Sequence, residues 1–94
     1  MIFAIAEQAP GHVKFSVGVE AASAPHNLHV TNNEYDENSQ LTNTQDAEVG
    51  GWFADNGLWV GYASFAVAGG RPCFAFVHKG GTERPLGTFS YVAE

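Results

Sequence analysis

Between His12 and Glu20 the chain reads HVKFSVGVE, with apolar side chains on every second position: Val13, Phe15, Val17 and Val19. A two-residue period places these four on one face of a strand and His12, Lys14, Ser16, Gly18 and Glu20 on the other. Ile2 to Ala6 predicts an earlier strand, and Ala9-Pro10-Gly11 supplies the turn that makes the two antiparallel neighbours. Ala21 to Pro25 reads as a connector. His26 to Thr31 reads as a third strand with Leu28 and Val30 as its apolar anchors.

The pattern then breaks. From Asn32 to Asp46 the run NNEYDENSQLTNTQD holds only Tyr35 and Leu41 as sizeable apolar groups. Thr31 and Glu34 have capping-box spacing, yet the many Asn, Ser and Thr side chains compete with helical hydrogen bonds. The segment at about 32–48 therefore reads as a polar loop or insertion, either a recognition element or a disordered stretch.

From Val49 to Ala68, VGGWFADNGLWVGYASFAVA predicts a β-hairpin. Asp55-Asn56-Gly57 tolerates positive φ, and aromatic and β-branched residues flank it on both sides. Two registers fit. A two-residue Asn56-Gly57 turn sets Ala54 against Trp59 and puts Trp52 and Trp59 on one face as an aromatic platform. A three-residue turn with a glycine bulge sets Phe53 against Trp59 and parts the tryptophans, because a one-residue slip reverses every side chain.

Beyond this hairpin come the turn Gly69-Gly70-Arg71-Pro72, a strand from Cys73 to His78, a loop from Lys79 to Pro85 and a strand from Leu86 to Val92. Six to seven short strands without a helix predict an all-β chain: a small antiparallel β-barrel or β-sandwich built from a meander, with 1–94 as a single domain. Both faces of the meander are apolar. Leu58, Val60 and Tyr62 lie on one side and Trp59, Phe65 and Val67 on the other, so the N-terminal strands, the polar segment or a second subunit must cover the second face. Self-association is the expectation for a chain this small.

Composition narrows the function classes. Residues 1–56 carry about −7 and residues 57–94 about +1, within a net charge of −6. No basic patch forms, so no direct binding to nucleic acid or to an anionic membrane is expected. Cys73 is alone, which excludes an internal disulfide and reads as a small buried hydrophobe. The N-terminal run lacks a basic region and its apolar stretch stops at Glu7, so the expectation is a soluble, cytoplasmic protein without a signal peptide.

Candidate chemistry is sparse. His26 and His29 stand three apart, a spacing that points to opposite faces of a strand, and Asp36-x-Asn38-x-Gln40 lacks the glycine and the bidentate acid of a calcium loop. No phosphate-binding loop or nucleophile elbow is present, and Cys73 and His78 point oppositely on one strand. No catalytic residue, metal or cofactor is expected.

The expected function is non-catalytic: an acidic, self-associating β domain that binds a protein partner, of inhibitor or accessory type. Its recognition surface would combine Tyr35, Glu34, Asp36 and Glu37 of the polar segment with Trp52, Asp55, Asn56, Trp59 and Tyr62 of the hairpin, and a basic partner would suit the acids. The alternative is a lectin-like module that stacks carbohydrate on Trp52, Trp59 or Tyr62 and reaches hydroxyls with Asn32, Asn33, Asp36 and Asn56. A small enzyme is the third reading.

Overall fold

A computed structural model describes residues 1–82 and 84–94. The described residues form eight strands and no helix: β1 (Ile2–Ala9), β2 (His12–Glu20), β3 (Leu28–Tyr35), β4 (Leu41–Glu48), β5 (Gly50–Phe53), β6 (Leu58–Ala66), β7 (Pro72–Lys79) and β8 (Gly87–Val92). They assemble into two four-stranded antiparallel sheets, ordered β1-β2-β6-β5 and β4-β3-β7-β8, and neither closes into a barrel. Consecutive strands pair as hairpins, and the four hairpins alternate between the sheets. The expected loop at 79–85 contains residue 83, which lies outside the described residues.

The meander expected after Val49 does not form. β6 pairs with β2 and β5, β7 pairs with β3 and β8, and Gly69-Gly70-Arg71-Pro72 carries the chain from one sheet to the other. Had β7 folded back beside β6, their inward rows would have shared one sheet with nothing opposite. Crossing over sets Trp59, Ala63 and Phe65 against a core that Cys73, Ala75 and Val77 fill from the other side. Phe15 of β2 sits at its centre, with its ring 5.4–6.5 Å from the rings of Phe3, Phe65, Phe89 and Tyr91.

The polar loop expected over 32–48 is also corrected: the segment forms the second half of β3, a tight turn and β4. An edge hairpin with one solvated face needs few apolar side chains. Its polar groups pair with each other, as in Thr44 Oγ1 donating to Asn33 Oδ1 at 2.9 Å. Asp36 Oδ1 accepts from the amides of Asn38 and Gln40, which closes the turn.

Three side chains stitch one sheet to the other. Gln8 Nε2 donates to the Val92 carbonyl at 3.2 Å along one seam, and Gln45 Nε2 donates to the Ala66 carbonyl at 2.7 Å along the other. Glu34 Oε1 accepts from the Ala68 amide at 3.1 Å. A one-residue bulge between Ile5 and Glu7 makes the first stitch possible. It turns Glu7 outward beside Lys14 and Gln8 inward beside Val13, the reverse of an unbroken strand.

Candidate functional site

The hairpin adopts the three-residue turn. The Ala54 amide donates to the Leu58 carbonyl at 2.8 Å, the Gly57 amide donates to the Ala54 carbonyl at 2.9 Å, and Gly57 has φ +82°. Asn56 Oδ1 accepts from the Leu58 amide at 3.0 Å and secures the bulge, while Asp55 is exposed beside it. Phe53 consequently faces Trp59, and Trp52 faces Val60.

The tryptophans therefore separate. Trp59 is 3% exposed in the core, where its indole lies over Gly61 so closely that a Cβ there would be 2.6 Å from the ring. This corrects its place among the expected binding residues. Trp52 is 59% exposed on the opposite face, its ring 5.6 Å from that of Tyr62 and tilted 42° to it. Lys14 Nζ lies 4.5 Å from the Tyr62 centroid, a cation–π contact.

Around this pair the outer face of the first sheet is mixed: an apolar strip runs along β6, and Ser16 and Lys14 of β2 lie opposite Tyr62 and Ser64. Leu58 and Val60 lie in line with Tyr62 on β6, and Gly18 and Ile2 continue the surface across β2 and β1. Ile2 is 63% exposed. The N-terminal strands lie beside β6 within the same sheet, and the polar hairpin lies in the other sheet, so neither covers this face.

The expected acidic surface disperses. Glu34 is 7% exposed and occupied by the Ala68 amide, which removes it from any recognition surface. Asp36 holds the β3–β4 turn, and Glu37 is paired with Arg71 at 2.9 Å. Tyr35 is half-buried at the end of β3.

Sequence reasoning missed a polar cluster on the outer face of the second sheet. His29 Nδ1 is 2.8 Å from Asp46 Oδ2; Asp46 Oδ1 accepts from Thr31 Oγ1 at 2.8 Å and lies 3.2 Å from His78 Nε2. The two imidazoles stack with centroids 5.7 Å apart. Burial pushes the Asp46 carboxyl up, but the hydrogen bonds from Thr31, His29 and His78 outweigh it and hold the group below the ordinary 3.8. The remaining ring nitrogens face the Asn27 side-chain oxygen and the Lys79 carbonyl, both at 3.2 Å. Each ring nitrogen thus has an acceptor oxygen within 3.2 Å, of which a neutral imidazole, with one N–H, can bond only one, and the Asp46 carboxylate ties β4 to β3 and β7. The alternation that puts His29 and Thr31 on one face was visible in the sequence; the register that brings Asp46 and His78 beside them was not.

A second missed group lies inside. Tyr91 Oη donates to Asn32 Oδ1 at 2.8 Å, and Asn32 Nδ2, in a residue 1% exposed, has no partner. Cys73 is buried alongside and donates to the Arg71 carbonyl at 3.6 Å. Burial pushes the thiol up, as it does the Tyr91 hydroxyl.

Among the described residues, no three His, Cys, Asp or Glu side chains come together as a metal site. Compared with known proteins, the chain matches no family model, no curated protein and no solved structure at a significant level.

Proposed function

We propose that this is a non-catalytic protein-interaction domain, two facing sheets arranged as a β-sandwich, whose contact surface is the outer face of the first sheet and whose partner is a second copy of the chain. One observation carries the reading: Trp52, Tyr62, Val60, Leu58 and Ile2 form an apolar strip that none of the described residues covers. Charge favours a copy of itself. Two chains of net charge −6 repel through most of their surfaces, but among the described residues the only carboxylates along this face are Glu7, opposite Lys14, and Glu20 at the end of β2. The single free thiol of Cys73 suits a reducing, cytoplasmic setting.

Three strands of eight or nine residues and one of four, spaced about 4.8 Å apart, present roughly 500 Å². That is below the ~800 Å² per partner of a stable complex, so the association is weak and concentration-dependent. Sedimentation equilibrium tests this: the mass should rise above 10.0 kDa with concentration in the wild type and stay there in Trp52→Ser. A wild type that remains monomeric throughout overturns the reading.

Carbohydrate stacking is the second reading, supported by the exposed Trp52 ring tilted against Tyr62. It predicts a shift of tryptophan emission with sugars, and indifference across a broad glycan panel removes it.

A further inference from the structure

At the end of the two sheets where β2 leaves for β3, the connector at residues 21–27 walls a cleft of about 360 Å³. Val19, Pro25, Leu28 and Leu86 line it with apolar surface, and Lys79 and His26 stand at its edge. The volume is at the lower end of the range for small-molecule sites.

Backbone hydrogen bonds hold its walls. Asn27 and Gly80 bond reciprocally, the Gly80 amide donating to the Asn27 carbonyl at 2.8 Å and Asn27 Nδ2 donating to the Gly80 carbonyl at 3.1 Å. Opposite, the Leu86 amide donates to the Val77 carbonyl at 2.7 Å. These bonds fix the connector against β7 and fix the entry to β8, so the cleft is formed before any ligand arrives.

Its charge departs from that of the chain. The protein carries 10 acids against 4 Lys and Arg, yet among the described residues no Asp or Glu lines this cleft and one of the four cations does. An apolar lining that includes Met1, with the Lys79 ammonium beside it, complements one chemistry: a short hydrocarbon ending in a carboxylate. We infer that the cleft binds a small monoanionic amphiphile, with its tail against Val19 and Leu28 and its carboxylate at Lys79. None of Trp52, Tyr62, Val60 or Leu58 lines this cleft.

Amide chemical shifts during titration with sodium octanoate test the site, with 1-octanol as the uncharged counterpart. Expected are saturable shifts at Val19, Leu28, Lys79 and Leu86, and about three- to fivefold tighter binding of octanoate than of octanol at low salt, the scale of an exposed ion pair. Lys79→Gln should reduce that preference, and added salt should shrink it. Equal affinity of the wild type for both probes, shifts that never saturate, or shifts centred on Trp52 and Tyr62 would each overturn the proposal.

Discussion

Trp52 and Trp59 occupy opposite faces of one sheet, seven residues apart on a hairpin whose bulge at Gly57 sets their register. One indole belongs to the core and the other to the surface.

Their substitutions should therefore separate cleanly in urea denaturation. Trp59→Ala is expected to cost about 3–5 kcal/mol, the range for a buried aromatic, and Trp52→Ser less than about 0.5 kcal/mol. Gly61→Ala should cost about 1–3 kcal/mol and shift the emission of Trp59, because the added methyl displaces its ring. Equal losses for Trp52→Ser and Trp59→Ala would mean the register is wrong.

The Tyr91–Asn32 bond crosses from β8 to β3 within the core. Tyr91→Phe leaves Asn32 with no partner on either amide atom, at a cost of about 1–3 kcal/mol. Asn32→Leu strands the Tyr91 hydroxyl for a similar loss. The double variant should recover most of it, since removing both polar partners is close to neutral. Strictly additive losses in the cycle would show that the bond is not formed.

Asp46 predicts how stability responds to acid. A carboxyl held below 3.8 in the folded state contributes stability that is complete above 3.8 and is lost as the pH falls through the folded value. The stability difference between wild type and Asp46→Asn should thus be present at neutral pH and shrink below about pH 3.8. Solvent screening keeps it under about 1 kcal/mol. A difference that grows on acidification would contradict the sign.

Cys73 is buried and its thiol is pushed up by that burial. A bulky thiol reagent should label it slowly at neutral pH in the native protein and rapidly once urea unfolds the chain. Equal rates in both states would place the thiol at the surface.

Much of the fold was legible where side-chain period and turn chemistry agree. The alternation of Val13, Phe15 and Val17 marked β2, Pro10-Gly11 marked its hairpin with β1, and Asp55-Asn56-Gly57 marked the β5–β6 turn. The second half of β3, and β4 with it, were hidden because Asn32 and Glu34 face inward, which apolar periodicity reads as loop. Only tertiary partners, the Tyr91 hydroxyl and the Ala68 amide, make those positions tolerable. The crossing after β6 was unreadable for another reason: Gly-Gly-Arg-Pro marks a turn without saying which sheet the next strand joins. As for the surface, the sequence narrowed the tryptophan register to two solutions, and the Gly57-to-Ala54 hydrogen bond selects one.

Acrylamide quenching of tryptophan emission against protein concentration tests the surface most directly, since Trp52 is the exposed indole and Trp59 the buried one. Burial of Trp52 by a second copy predicts a quenchable fraction that falls as concentration rises, with no such change after Ile2→Ser and Val60→Ser together. A quenchable fraction independent of concentration, in a sample shown to associate, would place the contact elsewhere.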